Sequence, residues 1–154
     1  MDDATAMNRC IDLARAAAER GDQPFGSVVV LDGRIVAEGD NSIATDIDPT
    51  AHAELMAIRR ACQALGRIDL TGGTIYASGE PCLMCSSVIR ATRLSRVVIA
   101  MPSRGSAGGA TSAYAILKAD GVAGLTAPPE VIEGFFEDRV RALHAELGWP
   151  PSGV

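Results

Sequence analysis

From residue 3 to residue 20 apolar positions recur at helical spacing: Ala6, Met7, Cys10, Leu13, Ala14 and Ala17 share one face, and Gly21 stands where a glycine follows a helix C-cap. The period then shortens. "PFGSVVVLDGRIVAEGD" holds two β-rich runs joined by Asp32-Gly33, a dipeptide that tolerates positive φ, and this predicts an antiparallel hairpin closed by a type I′ turn. "NSIATDIDPT" reads as a polar loop ending in Thr50 as a helix N-cap. Leu55, Met56, Ile58, Ala61, Cys62 and Leu65 then form the apolar face of a second helix that stops at Gly66.

"GGTIYAS" is a short strand, Pro81 suits the first position of a helix, and "CLMCSSVIRAT" continues that helix. "RVVIA" is apolar almost throughout, as expected of a strand covered on both faces and paired in parallel with a neighbour reached by a helical crossover. A Gly- and Ser-rich stretch, "MPSRGSAGGATSA", precedes a short helix at "AYAILKADG". "PPEVIEGFFEDRVRALHAEL" reads as a closing helix interrupted at Gly134. No repeat and no interior linker divides the chain, so 1–154 is expected to be one domain. The order helix, hairpin, helix, strand, helix, strand, helix predicts an α/β fold with a mixed sheet.

Composition narrows the function classes. Of 154 residues 47% are hydrophobic and 21% charged, ordinary globular values that exclude collagen, coiled coil and disorder. A net charge of -5 argues against a nucleic acid as the main partner. The acidic start "MDDATAMNRC" and the lack of a long apolar run argue against export and a membrane, so a cytoplasmic location is expected. The cysteines stand at 10, 62, 82 and 85, and the close spacing of the last pair points to metal binding or redox chemistry.

His52 joins that pair naturally. One imidazole and two thiolates from His52, Cys82 and Cys85 make a tetrahedral zinc set with the fourth position left for water, as a catalytic site requires. Cys82 and Cys85 lie at a helix start, where the positive end of the dipole favours thiolates. Two thiolates neutralise the formal charge of Zn2+, so the bound water gains less acidity than beside three imidazoles and a nearby base is useful. Glu54, two residues past a ligand, suits that role: general base toward water, then general acid toward a leaving nitrogen.

"HAE", 26 intervening residues and "PCLMC" resemble the signature of the zinc nucleobase deaminases. "PFGSVVVLDGRIVAEGDN", "DPTAHAELMAIRRAC" and "SGEPCLMC" are similar to the guanine deaminase and tRNA adenosine deaminase branch of the cytidine deaminase-like superfamily. The resemblance implies a three-layer α/β/α fold with a mixed five-stranded sheet, one CMP/dCMP-type deaminase domain, one Zn2+ per chain and a homodimer. It also implies hydrolytic release of ammonia from an amine-bearing base, by a zinc-activated water with Glu54 as proton shuttle.

Four residues are expected to touch substrate. Asn41 matches a position where the branch carries an amide that bonds the base, although alone it reads as a turn former. Ala53 offers a helix-start N–H. Phe25 reads equally as a stacking wall or as a core residue, and Glu80 equally as part of the metal loop or as a solvated acid. His144 is expected to be exposed, and Cys10 and Cys62 to be core. Arg90, Arg93, Arg96 and Arg104 form a basic cluster open to a phosphate-binding or a plain surface reading.

The expected substrate is a small free nucleobase, guanine first. Residues 129–147 hold Glu130, Glu133, Glu137, Asp138 and Glu146 against Arg139 and Arg141, an acidic balance ill suited to an anticodon stem. Guanine deaminases usually carry an aspartate after the fourth strand, whereas 102–117 contains no acid, so cytosine, another aminopurine or an aminotriazine stands as an alternative. A tRNA adenosine deaminase and a zinc-stabilised, non-catalytic binding subunit are the remaining readings.

Overall fold

The computed structural model describes residues 1–102 and 113–150. The elements are α1 (Asp3–Glu19), β1 (Gly26–Leu31), β2 (Arg34–Asp40), α2 (Ile43–Asp46), α3 (Ala53–Leu65), β3 (Thr74–Gly79), α4 (Leu83–Ala91), β4 (Arg96–Met101), α5 (Ala113–Lys118), β5 (Glu130–Glu133) and α6 (Glu137–Glu146). Most of the Gly- and Ser-rich stretch, with Arg104, and the last four residues lie outside the described set.

The sheet order is β2-β1-β3-β4-β5. β1 pairs antiparallel with both β2 and β3, and β3, β4 and β5 run parallel. The hairpin turn has positive φ at Asp32 and Gly33, 51° and 72°, as a type I′ turn requires. The crossover from β3 to β4 is α4, as the apolar β4 run predicts.

Alternation along the central strands sends side chains to two cores. Val29, Ile75, Val97 and Ile99 meet Ala57, Ile58 and Ala61 of α3, Ile89 of α4 and Leu117 of α5. Val28, Val30, Tyr76, Val98 and Ala100 meet Ala6, Met7, Cys10 and Leu13 of α1 and Val140 of α6. These are the three layers that the resemblance implies. Truncating a fully buried residue such as Ile75 or Ile99 to Ala would cost about 2–5 kcal/mol.

Several expectations are corrected. α3 is capped by His52, not Thr50, whose N–H and Oγ1 both bond Asp48 instead. α4 starts at Leu83 behind Cys82, so Pro81 lies before the helix. The buried face of α3 is rotated from the expected one: Ala53, Glu54, Ala57, Ile58 and Ala61 are buried, while Leu55, Met56, Cys62 and Leu65 are only half-buried.

The closing helix is shorter than predicted. Glu130–Glu133 is β5, paired in register with β4, and Gly134 at φ 79° turns the chain into α6. A parallel edge partner decided those four residues, which have no distinct local period of their own.

The three described arginines of the basic cluster have partners within the chain. Arg90 is 2% exposed and donates to the carbonyls of Ile116, Ala119 and Thr126, satisfying the C-terminal end of α5. Arg96 makes a two-pronged bond to Asp3, and Arg93 pairs with Asp69.

Candidate active site

The N-termini of α3 and α4 meet at one place. His52 and Cys82 are the N-cap residues of these helices, both with extended backbones and neither using its side chain as a cap, so the imidazole and thiol are free to turn toward each other. Gly39 sets the approach: a Cβ there would collide with the backbone of Ala53 and Ala57, so only glycine lets α3 lie this close on β2.

Cys82 Sγ lies 3.5 Å from His52 Nδ1, and the donor atoms of His52, Cys82 and Cys85 all fall within 4.8 Å of one another. Tetrahedral zinc with usual bond lengths holds a sulfur and a nitrogen ligand about 3.6 Å apart, so the set fits zinc. Among the described residues it is the one cluster of three such side chains.

The two thiols shift in opposite directions. A hydrogen bond from Cys85 pulls the Cys82 thiol down to about 5, against the effect of burial, while that bond and burial push the Cys85 thiol up. His52, Cys82 and Cys85 would hold a zinc ion through one imidazole and two thiolates, so binding would require both thiols to be deprotonated.

Glu54 sits in the first turn of α3, 6% exposed. Burial pushes its carboxyl up to about 7, the nearby Cys82 adds to this, and hydrogen bonds from its own amide and from Cys85 oppose it. A buried carboxyl beside the donor set, its hold on a proton strengthened by burial, is suited to carry one between two atoms.

A cavity of about 140 Å³ opens onto this centre, lined by Gln23, Phe25, Asn41, His52, Ala53, Glu54, Glu80 and Cys82. Seven of the eight candidate site residues named from the sequence line it, and the eighth, Cys85, is buried. Asn41 Oδ1 accepts from Ile43 N, leaving the NH2 half of the amide as what it can offer a ligand. Its loop is braced from below. Arg20 bonds Asp40 and the Asn41 carbonyl, and buried Asp22 accepts from the Ala44 and Thr45 amides of α2. Ala53 is the first residue of α3, so its N–H has no intrahelical acceptor.

Two features were not legible beforehand. Gln23 lines the cavity, and nothing in its sequence surroundings distinguishes it from a loop residue. His144 is 5% exposed, not at the surface as expected, and its Nε2 is 3.0 Å from the Pro24 carbonyl. Burial lowers its pKa, and an Nε2 that faces a carbonyl is the ring's N–H donor.

Residues 1–101 match the profile of the cytidine and deoxycytidylate deaminase zinc-binding region. The chain belongs to that family. This deaminase-family chain is 47% identical over 90 residues to guanine deaminase from Bacillus subtilis (strain 168), covering 58% of each. It is 46% identical over 84 residues to the tRNA-specific adenosine deaminase of Agrobacterium fabrum (strain C58 / ATCC 33970), covering 54% of this chain and 55% of that one. The aligned part thus spans little more than half the length of these curated relatives. Among solved structures, one from work on A-to-I editing by tRNA:A34 deaminases at the wobble position of transfer RNA superposes with a TM-score of 0.80 at 33% identity, covering 91% of this chain and 99% of that one. The family is zinc-binding and its deaminases are hydrolytic, with relatives on both the free-base and the tRNA side.

Proposed function

We propose that the protein is a zinc-dependent hydrolytic deaminase of a small amine-bearing nucleobase, with guanine the first choice. The observation that carries the reading is the burial of Glu54 against the His52, Cys82 and Cys85 donor set, in a cavity that also presents Phe25 and Asn41. When bound, zinc supplies the Lewis acidity that makes water nucleophilic near neutral pH.

The chain's own residues do the rest. Phe25 offers an aromatic face to the flat base and Asn41 an amide to its edge, while the Ala53 N–H and Glu80 complete the rim. Glu54 takes a proton from the attacking water and passes it to a ring nitrogen. It then carries the second proton to the exocyclic amine, so that the C–N bond breaks, ammonia leaves and the ring retains the water's oxygen as a carbonyl. Glu54 ends the cycle as it began.

Preference for a free base over tRNA rests on the engaged arginines. Arg139 stacks on Phe136 and donates to Asn8, Arg141 pairs with Glu137, and Arg90, Arg93 and Arg96 are committed within the chain, so α6 and β4 offer phosphates little. The resemblance to tRNA deaminases supports the competing reading. The chain is read as one domain, 1–154, because α6 packs on the same core as α1. A homodimer is proposed through the apolar groove between α3 and α4, where Leu55, Ile58, Val88 and the 68% exposed Ile68 lie. A cytoplasmic location is proposed from cysteine usage, with Cys82 and Cys85 read as metal ligands instead of a disulfide.

Ammonia release measured against guanine, 2,6-diaminopurine, cytosine, an aminotriazine, adenosine and an anticodon stem-loop tests the reading. Guanine is expected to be turned over fastest. Turnover of the stem-loop alone would move the protein to the tRNA side, and silence toward all would leave the non-catalytic binding subunit.

A further inference from the structure

The most informative contact outside the metal centre joins the end of α6 to the cavity wall. Phe25 has a fixed main chain: its N–H bonds the Gln23 carbonyl, and its own carbonyl accepts from Asn41 N. Those bonds do not set the direction of its ring. Three neighbours do. Gly79 lies against it so closely that a Cβ there would stand 2.7 Å from Cε1 and 2.8 Å from Cδ1. The His144 ring meets it edge-on at 5.4 Å and 89°, and the Trp149 ring at 6.2 Å and 90°. Both perpendicular contacts are of the kind aromatic pairs favour.

The two clamping residues are themselves tied down. His144 is buried on α6 and holds the Pro24 carbonyl, one residue before Phe25, so it fixes the backbone and the ring of the same short segment. Trp149 donates its backbone N–H to the His144 carbonyl at 2.8 Å, which anchors it to the end of the helix while its side chain stays half-buried. Phe25, one wall residue of a cavity lined by residues 23 to 82, is therefore backed by a segment beyond residue 101, where the family match ends.

We propose that His144 and Trp149 are positioning residues for substrate: they hold Phe25 as a fixed aromatic wall, so that the end of α6 sets the affinity for a flat heterocycle without touching the metal or its water. This rests on the reading of Phe25 as a base-contacting residue. A ring held in one orientation before binding loses no rotamer freedom when the base arrives, and removing the clamp returns that cost to the binding step. The effect belongs in KM, not in the chemical step.

Steady-state kinetics decide it, using whichever base the wild-type protein turns over fastest in the panel above, with zinc content and melting temperature recorded for each variant. Phe25→Ala, His144→Ala and Trp149→Ala are each expected to raise KM roughly tenfold, with zinc retained and kcat within about a factor of two. Phe25→Ala combined with Trp149→Ala should raise KM no further than Phe25→Ala alone, since both act through one ring. Trp149→Phe keeps a ring in place and should return KM close to the wild-type value, which separates clamping from a general loss of stability. If Phe25→Ala raises KM while Trp149→Ala and His144→Ala leave it unchanged, the clamp is wrong though the reading of Phe25 stands. An unchanged KM in Phe25→Ala would sink the reading on which the clamp depends, and a panel with no turnover would overturn both.

Discussion

Cys82 Sγ stands 3.5 Å from His52 Nδ1 although 30 residues separate them in the chain, because each caps a different helix and both helices start at the same point. This separation is close to what a shared tetrahedral zinc demands. Cys82→Ser and Cys85→Ser should each lower bound zinc from one per chain to near zero, as read by elemental analysis. Chelation of the wild-type protein should lower its melting temperature, since a ligand held at a thousand times its Kd contributes about 4 kcal/mol to the folded state. Full stability after complete zinc removal would contradict a metal coupled to folding.

Glu54 is buried beside this centre and is not one of its three donor residues. Glu54→Gln should therefore keep zinc and melting temperature while lowering kcat by about 10²–10⁴. A variant with normal zinc and normal turnover would take the proton transfers away from Glu54.

The distance between β2 and α3 depends on the missing side chain at residue 39. Gly39→Ala should push α3 outward, cost about 1–3 kcal/mol as overpacking does, and weaken zinc binding because His52 moves with the helix. Unchanged zinc affinity would mean that the loop at residue 52 absorbs the shift.

Asp3 is held by Arg96 from the far end of the sheet. The hydrogen bond with Arg96, opposed by burial and helped by the Tyr76 hydroxyl, brings its carboxyl from 3.8 down to about 2. A depressed folded-state value means the contribution is complete above pH 3.8 and is lost as the pH falls toward 2. Asp3→Asn should thus be less stable than wild type at neutral pH, and the gap between the two denaturation midpoints should close across that acid window. A gap independent of pH would show that the ion pair contributes nothing.

The groove between α3 and α4 gives the assembly test. The wild-type protein should sediment at twice the 16.0 kDa chain mass, and Ile68→Glu should shift it toward the monomer. A wild-type monomer at all concentrations would dismiss the dimer.

Much of this was legible along the chain. α1 and the β1–β2 hairpin follow from apolar spacing, from Gly21 and from Asp32-Gly33, all of which act within a few residues. That His52, Cys82 and Cys85 would gather with Glu54 beside them was readable because few residue types meet such chemical demands, and because both pairs sit beside a helix start. Local pattern misplaced the starts themselves. Thr50 and Pro81 have the chemistry of helix openers, but the turn at Asp48 and the geometry of the donor cluster moved each start toward the metal residues.

Tertiary structure decided the rest. Glu130–Glu133 became a strand because the edge of β4 offered a parallel partner, an event that no window of four residues can announce. Arg90 looked like a surface cation and is a buried staple across α5 and Thr126, and His144 looked like an exposed residue of a polar helix and closes on Pro24. In both, the burial of a polar group was fixed by a distant carbonyl that satisfies it. The sequence by itself determined which residues could do chemistry, since that is a property of side chains and their spacing; only the folded chain decided what surrounds them, since burial and contact are properties of segments that meet from far apart.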